Sequence, residues 1–165
     1  MALEIVPYKA EHALEIIKSK AKETILKLGE KAEERAKYLE TAGPAITGLW
    51  NGTLLASGGL MFNGPWPGVA EAWCLFRQET DQTDVWSRML FARKCKGLLY
   101  EWIEKYQLVR IEANLYAEQI PNIEFVKFLG LEFESLKPKY YFGGKTAVMY
   151  VKIVERSDGR RDKEE

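Results

Sequence analysis

VAEAWCLFRQETDQTDVWSRMLFARKCKGLLYEWIEKYQLVRIEANLY, residues 69–116, decides the fold. VAEAWCLF (69–76) is almost continuously apolar, as a strand covered on both faces would be. Across 84–106, Trp86, Met89, Leu90, Leu98, Leu99, Trp102, Ile103 and Tyr106 recur mostly at three- and four-residue spacing, which predicts one long helix. Thr83 or Asp84 stands where its N-cap is expected. LVRIEANLY (108–116) reads as the next strand. A strand, a helix and a strand in succession make a crossover unit, so the two strands are expected to lie parallel.

Outward from this unit the period changes. LEIVPY (3–8) reads as a short strand, with Pro7 suited to a sheet edge or a strand end. Leu14, Ile17, Ala21, Ile25 and Leu28 form a helical stripe that Gly29 is expected to end. Ala32, Ala36 and Leu39 mark a second helix over about 30–41. Asn51-Gly52 sits between AITGLW and TLLASGGLMF, a strong signal for a type I′ hairpin. NGPWPG (63–68) reads as a turn. PNIEFVKFLG (121–130) reads as a short helix with Pro121 in its first turn and Gly130 at its end. EFESLKPKYYF and TAVMYVKIV then read as two strands around Gly143-Gly144.

The expected order is β-α-α-β-β-β-α-β-α-β-β. That is an α/β fold, a mixed and mostly antiparallel sheet with a central parallel pair and helices on both faces. One domain over residues 1–153 is expected, followed by a charged tail, 154–165, that reads as disordered.

Composition narrows the function classes. Lys plus Arg equals Asp plus Glu, 24 each, which argues against bulk nucleic-acid binding. No apolar run reaches the length of a membrane span, and MALEIVPYKAEH lacks the pattern of a signal peptide. Cys74 and Cys95 have no metal-ligand spacing, and His12 is the single histidine. No metal site is expected, and a reduced cytoplasmic setting fits best.

NIEFVKFLGLEFE (122–134) is similar to the helix-then-strand signature of the GNAT N-acetyltransferases, an aromatic-rich short helix ending in Leu-Gly-Phe. Phe125, Leu129, Gly130 and Leu131 occupy the matching places, with Leu131 where Phe is usual. With the order of elements, the chain resembles that superfamily over about 3–153. The degenerate pattern also resembles the GNAT-like proteins of tailed phages.

The resemblance implies acetyl-CoA as co-substrate, held between the splayed parallel strands with its pyrophosphate on the N-terminus of the long helix. Such a helix end attracts anions whatever the family, through its orphan N–H groups and its dipole. The residues so implied are Leu75, Phe76, Arg77, Thr83, Asp84, Val85, Trp86, Ser87 and Arg88, with Asn122 and Phe125 from the short helix. The family's cradle of one Arg or Gln and two small residues falls here on Asp81, Asp84 and Trp86, so basic residue and glycines are absent. Arg77 and Arg88 can offset that loss through guanidinium forks. Arg93 and Lys94 read more readily as the solvated face of the helix than as phosphate contacts, with Arg88 more evenly placed between the two.

Two catalytic residues are implied. Glu71, a carboxylate in an otherwise apolar strand, suits a general base, with Glu112 as the alternative. The position from which many family members use a Tyr as acid is Val126 here, so Tyr116 is the expected acid, with Tyr140 and Tyr141 as substitutes. The acceptor would be an amine on a small molecule or a protein. It would sit between the helix-to-helix turn near Gly29 and the Gly143-Gly144 hairpin. No nucleic acid or membrane is expected, and a homodimer is left open. The alternative is a GNAT-fold binding or structural module without catalysis, such as a phage-borne interaction protein. Trp66, an aromatic on a turn, is a candidate contact for a ligand or another subunit.

Overall fold

Asn51 and Gly52 have φ of 49° and 78°, and Trp50 pairs with Thr53 across them. Both central residues of a type I′ turn need positive φ, which Asn and Gly adopt at least cost. The expected hairpin therefore forms and joins β2 (Ala45–Trp50) to β3 (Thr53–Met61), whose register then shifts by one residue between Gly48 and Leu49. The computed structural model describes residues 2–19, 22–62, 64–77 and 85–156, with backbone alone for 22–30 and Phe142. The expected tail lies outside these residues from position 157 onward.

Among the described residues the sheet has seven strands. The remaining strands are β1 (Leu3–Pro7), β4 (Val69–Phe76), β5 (Arg110–Tyr116), β6 (Glu132–Tyr141) and β7 (Lys145–Ile153). The spatial order is β1-β2-β3-β4-β5-β7-β6. β4 and β5 are parallel and every other neighbouring pair is antiparallel. β1 lies at an edge, where Pro7 removes no interior ladder bond. The fold class read from the sequence holds.

Helices cover both faces. Side chains alternate along β4, and the core divides accordingly. Trp73 and Leu75 pack with Tyr8, Ala13, Ala36, Leu39 and Met61, under α1 (Ala10–Lys18) and α2 (Lys22–Leu39). Ala70 faces the other way, into a cluster with Ile111, Ala113, Leu99, Ile103, Val126 and Leu129. That cluster is closed by α3 (Val85–Lys105) and α4 (Ile120–Phe128). Phe91 of α3, 1% exposed, packs with Leu55 and Ala56 of β3.

One boundary differs from expectation. The first helix ends at Lys18, not Leu28, and Gly29 lies inside α2. Ser19 halts α1: its N–H reaches Glu15 and Ile16 carbonyls, and its Oγ donates to the Ile16 carbonyl at 2.6 Å. Such back-bonding by a serine closes a helix end. A glycine inside a helix costs only about 1 kcal/mol relative to alanine, an amount tertiary packing can offset. The break between the two helices therefore comes before Lys22 and not at Gly29.

Candidate functional site

The parallel ladder is short. Val69 pairs with Arg110, Ala70 with Ile111 and Glu71 with Glu112, and there the pairing stops. Both strands continue, β4 to Phe76 and β5 to Tyr116. β4 stays bound to β3 through Phe76 opposite Ala56, and β5 to β7 through Tyr116 opposite Ala147. The two strands thus part beyond Glu71 and Glu112, which stand at the vertex of a notch.

The notch exposes main chain. Arg77 N–H donates to Leu55 O at 3.0 Å, toward β3. Strand alternation then turns the N–H and C=O groups of Phe76 and Cys74 the other way, into the gap. A ligand with extended amide groups would pass along the Phe76 groups there. On the α3/α4 side the notch has an aromatic floor. The Phe76 and Phe125 centroids are 5.1 Å apart edge to face, and Phe91 stands 6.3 Å from Phe76.

The N-terminus of α3 follows the mouth of the notch. Val85 and Trp86 are 72% and 67% exposed, Ser87 is buried and Arg88 exposed. Thr83 and Asp84, like Asp81, lie outside the described residues. Arg77 closes the end of β4. Its guanidinium is 3.6 Å from Glu15 of α1, and its Nε is buried without a hydrogen-bond partner among the described residues. Leu75 turns its side chain into the α1/α2 core, so only its main chain can meet a ligand. Asn122 is engaged with the Gln119 side chain at 2.9 Å, as local polarity at the start of α4. Val126 is buried in the core, where no acid function is available.

The opposite face of the sheet carries the polar chemistry. Arg110, Glu112, Asn114 and Tyr116 share one parity along β5. Arg110 donates to Glu112 at 2.6 Å and to both oxygens of Glu134 on β6, at 2.9 and 2.6 Å. Flanking carboxylates stabilise the guanidinium charge, raising Arg110 well above its ordinary value. Glu112 is thereby committed to an ion pair and is the weaker candidate for a base. Among the described residues Glu71 has only a long contact, with Asn114 Nδ2 donating at 3.4 Å. Asn114 Oδ1 in turn accepts from Lys137 Nζ at 2.8 Å. Tyr116 lies against Tyr141, with centroids 4.0 Å apart. Burial, then the neighbouring Tyr116, Tyr140 and Glu71, push the Tyr141 hydroxyl up to about 12, so it stays protonated at neutral pH.

The Arg110–Glu134 fork has a pH signature. Hydrogen bonds from Arg110 hold the Glu134 carboxyl below its ordinary 4.5. A depressed carboxyl value contributes stability that is full above the unfolded value and is lost as pH falls through the folded one. The melting-temperature gap between the protein and Glu134→Gln should therefore be constant above about pH 5 and close under more acid conditions. A gap that does not change with pH would remove the ion pair from the account.

Lys137, Glu134 and Asn114 were not singled out as site residues from the sequence. The parity of Arg110, Glu112 and Asn114 is visible along one strand. Lys137 and Glu134 both reach the site from β6 across β7: Lys137 stands opposite Ala147, and Glu134 lies at a register shift between Phe133 and Ser135. No periodicity signals either event. Trp66 is 73% exposed on its turn and lines, with Phe62, Tyr106 and Leu108, a pocket of about 220 Å³ at the start of β4. Among the described residues no cluster of His, Cys, Asp and Glu could hold a metal, and no helix is long and apolar enough to cross a membrane.

Solved structures share this architecture over nearly the whole chain. The Salmonella typhimurium protein yncA, with its cofactor acetyl-CoA, matches with a TM-score of 0.69 at 11% identity, over 96% of this chain and 97% of that one. The chain has the GNAT fold. A GNAT-family acetyltransferase from Bacillus anthracis matches with a TM-score of 0.65 at 13% identity, over 93% and 95%. RimL, a ribosomal L7/L12 alpha-N-protein acetyltransferase in complex with coenzyme A, gives 0.65 at 9%, over 93% and 95%. No protein-family model matches the sequence, and no curated protein matches it. The parallel pair, the helices on both faces and the element order are thus those of GNAT acetyltransferases.

Proposed function

We propose that this GNAT-fold chain is an acyltransferase that moves an acetyl or other acyl group from acyl-CoA to the amine of a small molecule or a protein. The observation that carries the reading is the notch. β4 and β5 part at Glu71 and Glu112, main-chain groups of Cys74 and Phe76 face the gap, and of the two carboxylates at the vertex Glu112 is paired with Arg110 while Glu71, among the described residues, meets only the Asn114 amide.

Acetyl-CoA would supply the acyl group as a thioester. Its amide-bearing arm suits the gap-facing main chain of Cys74 and Phe76, beside the Phe76 and Phe125 rings. Its phosphates suit the first-turn N–H groups of Val85, Trp86 and Ser87, with Arg77 and Arg88 as cations. Neither glycine of the usual cradle is present, so an arginine grip would replace a close main-chain approach. The Glu71 carboxylate accepts the proton that the amine loses as its nitrogen bonds the acyl carbon, directly or through water. The carbon–sulfur bond breaks, and the Tyr116 hydroxyl, beside Tyr141, donates the proton the thiolate takes up. RimL acts on a protein amine; the acceptor here would lie over the Glu71 face of β5, toward the Gly143-Gly144 turn. A cytoplasmic setting suits this chemistry.

A binding module without catalysis is the second reading. It is favoured by Val126, buried where the resemblance expects an acid, and by Trp86, exposed on the first turn of α3. Thiol release from acetyl-CoA, followed across a panel of primary amines, separates the two. Amine-dependent release supports transfer, and none with any amine supports the module.

A further inference from the structure

We infer that Lys137 and Asn114 act as one positioning device for Glu71. The inference rests on the acyl-transfer reading and deepens it. A lysine ammonium can only donate hydrogen bonds. Its 2.8 Å contact therefore sets the oxygen of the Asn114 amide toward Lys137 and leaves the NH2 group toward Glu71. The two ends of an amide are otherwise interchangeable in shape, and the network decides which way it points. With the amide turned over, its oxygen would face the Glu71 carboxylate and repel it. Lys137 thus fixes the one orientation in which Asn114 supports a proton-accepting carboxylate, without itself touching the acceptor.

The sheet is built to let Lys137 reach. β7 lies between β5 and β6, and both Lys137 and Tyr116 stand opposite Ala147. The alanine, fully buried, presents only a methyl group between them. A larger residue there would stand in the path of the lysine stem. The stem also passes Tyr140, whose ring centroid is 4.9 Å from Nζ. Among the described residues Lys137 makes no ion pair within 4 Å, although its charge helps lower Glu134. Arg110, on the same face, is consumed by Glu112 and Glu134, and Lys145, 5.7 Å from the Tyr116 ring, faces Glu118. Lys137 is therefore the cation committed to the base, through a neutral amide. That arrangement orients Glu71 without quenching its charge in a direct ion pair.

The test is a double-mutant cycle on thiol release from acetyl-CoA, using the best amine of the panel and the variants Lys137→Met, Lys137→Arg, Asn114→Ala and Lys137→Met/Asn114→Ala. Acetyl-CoA affinity by calorimetry and melting temperature are measured alongside. The expected result is a loss of about tenfold or more in kcat for Lys137→Met and for Asn114→Ala, with KM for the amine and acetyl-CoA affinity within about twofold. The double variant should lose no more than either single one, because the two residues act in series. Lys137→Arg, also a pure donor, should recover most of the rate. Additive losses, or a rise in amine KM confined to Lys137→Met, would overturn the inference and make Lys137 a direct acceptor contact. A parallel fall in melting temperature and acetyl-CoA affinity would also overturn it, in favour of a structural role. An unmodified protein that neither binds acetyl-CoA nor releases thiol would instead sink the acyl-transfer reading on which the inference stands.

Discussion

Glu71→Gln should lower kcat for thiol release by about 10²- to 10⁴-fold, the range for removing a general base. The change is nearly isosteric. Glutamine keeps an oxygen that can accept from Asn114, and only the capacity to take a proton is lost. Glu71 is half-buried and its bond to Asn114 is long, at 3.4 Å, so the melting temperature should hardly move. Acetyl-CoA affinity should hold as well, because the expected grip lies at the other end of the notch. Glu112→Gln makes the contrast. It breaks the pair with Arg110 at 2.6 Å and should act on stability more than on rate. An unchanged kcat in Glu71→Gln would mean that the amine reaches the thioester already deprotonated, with no carboxylate in the step.

Phe91→Ala should destabilise the fold by about 3–5 kcal/mol, the usual cost of emptying an aromatic site in a core. For a chain of this size that corresponds to a fall of roughly 6–20 °C in melting temperature. Phe91 is 1% exposed and packs with Leu55 and Ala56, and its ring stands 6.3 Å from Phe76. It is fitted from below as well. A Cβ added at Gly48 would lie 2.6 Å from the ring, so that glycine is the space the phenyl group fills. Phe91 pins the first half of α3 to the sheet and so holds the helix N-terminus at the mouth of the notch. Acetyl-CoA affinity should fall with stability in this variant, unlike in Glu71→Gln. A loss below about 1 kcal/mol would place the anchor of α3 elsewhere, in the Leu99 and Ile103 half.

Much of the scaffold was legible because local chemistry and the global pattern agree. Asn51-Gly52 makes its hairpin, and Pro121 and Gly130 bracket α4 to within two residues. The long helix between two apolar strands dictates the parallel pair. Gly29 misled because a helix tolerates one glycine when packing holds it, whereas Ser19 ended α1 through a side-chain bond that periodicity does not report. The site was legible only along single strands. Glu71 and Tyr116 lie on the expected strands, and the pairing of Glu112 with Arg110 follows from strand parity. Lys137 and Glu134 both depend on strand order, Glu134 also on the register shift in β6 and Lys137 on a small Ala147, none of which leaves a local mark. The stretch from Gln78 to Asp84, where the departure from the family's phosphate cradle is written, lies outside the described residues, so the proposed anion grip is argued from Arg77, Arg88 and the first turn of α3 alone.

The most direct measurement is a calorimetric titration of the protein with acetyl-CoA, with Arg88→Ala in parallel. The account predicts saturable one-to-one binding at micromolar concentration, weakened at least about tenfold by Arg88→Ala, the loss of one charge-assisted phosphate contact. No binding at millimolar acetyl-CoA would contradict it and leave the GNAT fold here as a platform for some other partner.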